Sequence, residues 1–221
     1  MKKSILFIFT ACFLFTTSCS DFLDEEHKTK YSSEYVFGTP EGLKLAVNAL
    51  YALQRYYAND TENATIFALE RGTDLAVTNG GTGNFYGIYD PNYLKPSASQ
   101  VGFMWRTMYQ IIGKANEIIA AAEDLEDTPS LRATVSEAKC FRAQSYFLLY
   151  RTFDRIWLNI QPTTAENVND PRDFHAASEK EVFDLIYEDL EYAITNLDWV
   201  SDEAGRFTQA AARHMKAKAA L

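Results

Sequence analysis

Residues able to do covalent or metal chemistry are scarce in this sequence. Its 221 residues hold three histidines and three cysteines. His27, His175 and His214 are far apart in the chain and form no cluster with metal-ligand spacing. There is no Walker A lysine, no GxSxG elbow and no HExxH pair. Gly81, Gly83 and Gly87 miss the dinucleotide fingerprint by one residue, and no convincing strand precedes them. Glu70 and Asp74 offer only the kind of carboxylate pair that any acidic chain contains. These absences argue against an enzyme, and neither a cofactor nor a metal is expected. Positive charge is also short: 21 Lys and Arg face 30 Asp and Glu, for a net charge of −9. With no basic patch to release counterions, nucleic acid and anionic membrane surfaces are excluded as partners.

Long hydrophobic runs are missing too. After Met1, Lys2 and Lys3, the apolar stretch Ile5 to Phe15 has 11 residues, too few to span a bilayer and about right for a signal-peptide core. Thr16, Thr17 and Ser18 then lead into Cys19, although Thr16 stands where a lipobox has leucine. The pattern predicts a lipoprotein signal over residues 1–18, cleavage before Cys19 and a diacylglyceryl group, with further palmitate-type acylation, on that cysteine. Each buried methylene contributes roughly 0.8 kcal/mol, so two or three chains suffice as an anchor. The lipid is then the only membrane contact. Residues 19–38 read as a lipidated acidic tether, with Asp21, Asp24, Glu25 and Glu26 close behind the cysteine and too little apolar surface to order on its own. Residues 39–221 are left as the folded part. Cys12 departs with the signal and Cys19 is acylated, so Cys140 has no disulfide partner and reads as a buried, inert thiol.

What is present is helical periodicity. Thr39-Pro40 opens a helix with Leu43, Val47, Leu50, Leu53 and Tyr57 on one face, ending near Asn59. Trp105, Met108, Tyr109, Ile112, Asn116 and Ile119 stripe a second, from about Val101 to Leu125. Thr128-Pro129 starts a third, to about Phe153, with Leu131, Val135, Ala138, Phe141, Ser145 and Leu148 along one side. Ser178 and Glu181 form a capping box for a fourth, carrying Val182, Ile186, Leu190, Ala193 and Leu197 inward and Asp184, Glu188 and Glu191 outward. A fifth begins near Thr208. Trp105 is expected in the core, with Asn116 and Arg142 satisfied by backbone carbonyls or a nearby carboxylate.

Two segments interrupt the helices: Gly72 to Gln100 and Asn159 to Ala177. A loop of nearly thirty residues in a compact domain is usually functional or disordered. The first carries Phe85, Tyr86, Tyr89 and Tyr93 between glycines, with Asn84 and Asn92 beside them. Their flat apolar faces suit stacking on sugar rings or peptide side chains, and the amides and hydroxyls suit hydrogen bonds to sugar hydroxyls. These six residues are the candidate ligand contacts. The competing reading is that the rings pin the loop to the helices.

Four stretches bear a family resemblance: "CSDFLDEE", "TPEGLKLAVNALYALQ", "MWRTMYQIIGKANEII" and, most specifically, "EAKCFRAQSYFLLYRTFDRIWL". They resemble the N-terminal part of the SusD/RagB family of outer-membrane nutrient-binding lipoproteins of Bacteroidetes-type bacteria. Asp154 and Trp157 stand near places where that family has Gly and Pro, and Cys140 replaces a larger apolar residue. The resemblance implies an all-α fold of tetratricopeptide-like helix pairs with long irregular loops, lipid-anchored on the outer membrane and facing outward. It implies capture of an oligosaccharide and delivery to a SusC-like TonB-dependent transporter. A peptide ligand, as in some relatives, and a helical-repeat scaffold binding only protein are the alternatives. Family members run well over twice this length, so a truncated version of the fold is expected.

Overall fold

The computed structural model describes residues 31–59, 99–164, 166–171 and 174–221. The chain divides into Met1–Ser32 and Ser33–Leu221, and every helix described belongs to the second unit. The helices are α1 (Ser33–Gly38), α2 (Pro40–Asn59), α3 (Ser99–Ala122), α4 (Pro129–Thr152), α5 (Glu179–Asn196) and α6 (Gln209–Ala219), and the described residues contain no strand.

Local chemistry sets the starts. A helix leaves its first N–H groups without partners, and a side-chain oxygen just before it accepts one of them, for about 1 kcal/mol. Thr39 accepts from the Gly42 N–H at 3.0 Å. Thr128 accepts from Leu131, and Thr208 from Ala211. Ser178 and Glu181 form the reciprocal capping box. All four starts fall where the sequence places them. The short α1 carries no periodic signal. It lies so close to α2 that a Cβ on Gly42 would come within 2.2 Å of the Tyr35 carbonyl oxygen. Gly205, at φ +86°, takes the left-handed turn that leads into α6.

The helices pack mainly on their chain neighbours: α2 on α3, α3 on α4, α4 on α5 and α5 on α6, with α2 also touching α4. Sequential packing of this kind belongs to helical-repeat architectures, as expected. The apolar stripes form the core: Leu43, Val47, Leu50 and Tyr57 from α2, Met108 and Ile112 from α3, Phe141 from α4, and Val182, Ile186, Leu190 and Ala193 from α5. Trp105 is only half-buried; it lies against the core, its ring 4.8 Å from Tyr109 and 5.0 Å from Phe153.

The helix α4 departs from a one-sided stripe. Every residue from Thr134 to Ala143 is buried, because α2, α3, α5 and α6 all touch this helix. Cys140 is fully enclosed, and burial, reinforced by the nearby Asp189 and Glu137 carboxylates, pushes its thiol well above the usual range. It is the inert thiol expected. The same enclosure takes Glu137, Lys139 and Arg142 out of water, and each then needs a partner.

Candidate functional site

The sequence-derived site residues Cys19, Asn84, Phe85, Tyr86, Tyr89, Asn92 and Tyr93 lie outside the described residues. What the described residues show is a polar system running from the middle of α4 to the segment after it. At its centre is Asp189 of α5, with no exposed surface. Its carboxylate accepts from Lys139 Nζ at 2.9 Å, from Arg142 Nε at 2.7 Å and from Arg142 Nη2 at 2.8 Å. Arg142 Nη1 donates to Asn116 Oδ1 at 2.8 Å, and Asn116 Nδ2 donates to the Asn159 carbonyl at 2.7 Å. The expectation for Asn116 and Arg142 holds, one meeting a backbone carbonyl and the other a carboxylate. Asp189 itself went unrecognised among the acids of α5. Its signal was positional: it stands three residues after Ile186 and four before Ala193, on the inward stripe. Asp184, Glu188 and Glu191 are exposed, as expected.

Two tyrosines continue the system into the segment after α4. The Tyr109 hydroxyl donates to the Trp157 carbonyl at 2.8 Å and accepts the Trp157 N–H at 2.9 Å. The Tyr146 hydroxyl does the same with Asn159, at 2.9 and 2.8 Å. In extended backbone the N–H and C=O of one residue face the same side, and residues two apart share that side. The paired contacts therefore hold residues 157–159 as an extended strap whose hydrogen-bonding edge is supplied by side chains. By the same alternation Trp157 and Asn159 project from one face, while Ile156 projects from the other and is buried. Ala177 N–H closes the strap's far end on the Ile156 carbonyl at 2.9 Å.

A row of rings runs beside the strap. Phe153 meets Trp105 edge-on and Trp105 lies against Tyr109. Tyr109 stacks on Trp157 at 6.4 Å, and Trp157 meets Phe174 at 4.7 Å with the planes 55° apart. The row ends in solvent, for Phe174 is 71% exposed. Of these rings only Phe174 falls within the helix interruption Asn159 to Ala177 that the sequence marks.

A second polar group joins α2, α4 and the turn before α6. The Tyr51 hydroxyl donates to Glu137 and accepts the Phe207 N–H at 2.7 Å, while the Arg206 guanidinium approaches Glu137 at 3.5 Å. A recess of about 240 Å³ opens beside it, edged by Lys44, Asp202 and Glu203. Burial raises the Glu137 carboxyl above its ordinary value of 4.5, against the lowering pull of Tyr51 and Arg206. The folded chain therefore holds this proton more tightly than the unfolded chain does. The stability that Glu137 contributes is full below its ordinary value and falls as pH rises through the higher folded one. Glu137→Gln keeps an acceptor for Tyr51 and has no such loss. Urea unfolding at a series of pH values upward from 4.5 should show the variant gaining on the wild type. A difference that stays flat would mean that the carboxylate is not desolvated.

Among the described residues there is no group of His, Cys, Asp and Glu that could hold a metal ion, and no helix is long and apolar enough to cross a membrane. What this region offers chemically is a backbone held by two tyrosine hydroxyls, with the half-buried Trp157 ring beside the exposed Phe174 ring.

Comparison with known proteins identifies the fold. A SusD-like protein of Bacteroides ovatus is 28% identical over 234 residues, covering 100% of this chain and 39% of the relative. SusD-like protein P38 of Formosa agariphila is 28% identical over 211 residues, covering 92% of this chain and 40% of its own length. The chain thus spans about two fifths of the curated relatives it matches. A laminarin binding SusD-like protein superposes with a TM-score of 0.67 and 26% identity, over 81% of this chain and 39% of that one. A structure determined with xylogluco-oligosaccharide gives a TM-score of 0.64 and 25% identity, over 81% of this chain and 34% of that one. The family model SusD-like_3, described as starch-binding and associating with outer membrane, matches residues 21–221, and the chain belongs to this SusD-like family.

Proposed function

We propose that this chain serves in surface capture of oligosaccharides by an outer-membrane lipoprotein, anchored through Cys19, which passes its ligand to a SusC-like TonB-dependent transporter. The family match over residues 21–221 carries this reading, and the shared helical fold of a laminarin binding relative supports it. Phe85, Tyr86, Tyr89 and Tyr93, with Asn84 and Asn92, are the proposed ligand contacts of the long loop. Stacking and hydrogen bonding at such residues need no catalytic group, so the ligand is held and released unchanged.

The test is to titrate the purified chain with laminari- and xyloglucan oligosaccharides by calorimetry and to chromatograph the mixtures afterwards. Binding without new products is expected. Sustained turnover would overturn the binding reading in favour of a hydrolase. In cells, Cys19→Ala should move the protein from the membrane to the soluble fraction, and unchanged membrane association would remove the anchor from the proposal.

A further inference from the structure

We propose that Trp157 and Phe174, with the Asn159 amide beside them, form a second sugar-stacking subsite on the strap, in addition to the contacts proposed for the long loop. The inference rests on the glycan-binding reading and adds a place and a geometry to it.

Three observations meet at this surface. First, Phe174 presents a large ring to water at 71% exposure, while Trp157, 4.7 Å away, is half-buried. With their planes 55° apart the two rings form an open corner rather than a closed stack. A pyranose has one face of C–H groups and a rim of hydroxyls, so it suits such a corner: the apolar face lies on one ring and an edge meets the other. Second, Trp157 is held in place before any ligand arrives. The Tyr109 hydroxyl holds both of its backbone polar groups, the Tyr109 ring stacks behind it, and Trp105 and Phe153 continue the support. A ring fixed in advance loses little freedom on binding. Third, the extended strap places the Asn159 side chain on the same face as Trp157, two residues or about 6.6 Å along. Its backbone is committed to Tyr146 and Asn116, while its side-chain amide makes no hydrogen bond within the described residues. That amide has both a donor and an acceptor for sugar hydroxyls.

Calorimetric titration of the full chain with a laminari-oligosaccharide and a xyloglucan oligosaccharide tests the subsite. Phe174→Ala removes an exposed ring, so its melting temperature should match the wild type. Its affinity should be roughly tenfold weaker, the scale of one lost ring contact. Phe174→Tyr keeps the ring and should keep the affinity, and Asn159→Ala should weaken binding without moving the ring row. If Phe174→Ala and Asn159→Ala both bind as tightly as wild type while Tyr86→Ala binds more weakly, the strap subsite is overturned and the glycan-binding reading stands. If the wild type binds neither these probes nor a panel of α- and β-glucans, both fall. Peptides that bind the wild type and lose affinity in Phe174→Ala, with no glycan binding, would likewise overturn the sugar assignment.

Discussion

Asp189→Ala is expected to cost about 3–5 kcal/mol of folding stability, a large share of the 5–15 kcal/mol typical of a domain. The carboxylate removed is fully buried, and it faces two cations whose side chains are 11% (Lys139) and 6% (Arg142) exposed. Alanine takes away the only negative charge that these cations contact in the described residues and gives back no acceptor. Lys139 has partial relief, since its ammonium lies 5.2 Å from the Tyr192 ring and keeps a little access to water. Arg142 has less: it retains Asn116 Oδ1 at Nη1, while Nε and Nη2 are left unpaired. The loss should also spread. Arg142 orients Asn116, and Asn116 holds the Asn159 carbonyl, so the strap should exchange its amide protons faster in the variant. Urea unfolding gives the stability change and hydrogen exchange gives the spread. Adding Lys139→Met and Arg142→Leu to Asp189→Ala should recover part of the loss, because breaking a buried pair costs more than replacing it with apolar groups. A loss below about 1 kcal/mol for Asp189→Ala alone would place these charges in contact with water, on the energetic scale of surface pairs.

What was legible in the sequence follows from how local each determinant is. The four capped starts were readable because a threonine or serine and its N–H partner lie within three residues of each other. The apolar stripes of α2 and α5 were readable because each of these helices faces the core on one side only. The helix α4 was half-legible. Its stripe was found, but burial all the way round depends on four neighbouring helices and leaves no single period to detect. Asp189 was hidden by composition: flanked by Glu188 and Glu191, it looks like one more solvated acid until Lys139 and Arg142 are seen 50 and 47 residues away. The strap was not legible. Its register is fixed by hydroxyls 48 and 13 residues distant in the chain. Trp157 and Phe174 carry no joint signal in the sequence, because only the folded chain brings rings 17 positions apart into contact. The loop that did show a site-like pattern, Asn84 to Tyr93, lies outside the described residues. The proposed loop contacts and the proposed strap subsite are alike in kind, rings and amides on a connection between helices, but only in the loop do they stand within a few residues of one another in sequence.

Phe141→Ala should cost a similar 3–5 kcal/mol for a different reason, the emptying of a packed space. Phe141 is 1% exposed at the centre of α4. Its ring meets Tyr51 at 4.7 Å and Phe207 at 4.9 Å, both nearly edge-to-face. Those partners come from α2 and from the turn before α6, so the ring joins elements more than 150 residues apart in the chain. Removal loses the transfer energy of the ring and leaves a void, and its walls cannot close easily. Tyr51 is tethered by its hydroxyl to Glu137 and to the Phe207 N–H, and the Arg206 guanidinium sits 5.1 Å from its ring. Those tethers resist collapse, which puts the expected cost at the upper end of the range. Phe141→Leu keeps much of the volume and should cost under about 2 kcal/mol. Denaturant unfolding of both variants checks the ordering. A loss below about 1 kcal/mol for Phe141→Ala would require α2 to move into the space, since an unfilled cavity of that size cannot be so cheap. The Tyr51–Phe207 hydrogen bond would then break, and the Phe207 amide would exchange as fast as an open loop. If the cost is high and that amide stays protected, the tethers hold the cavity open.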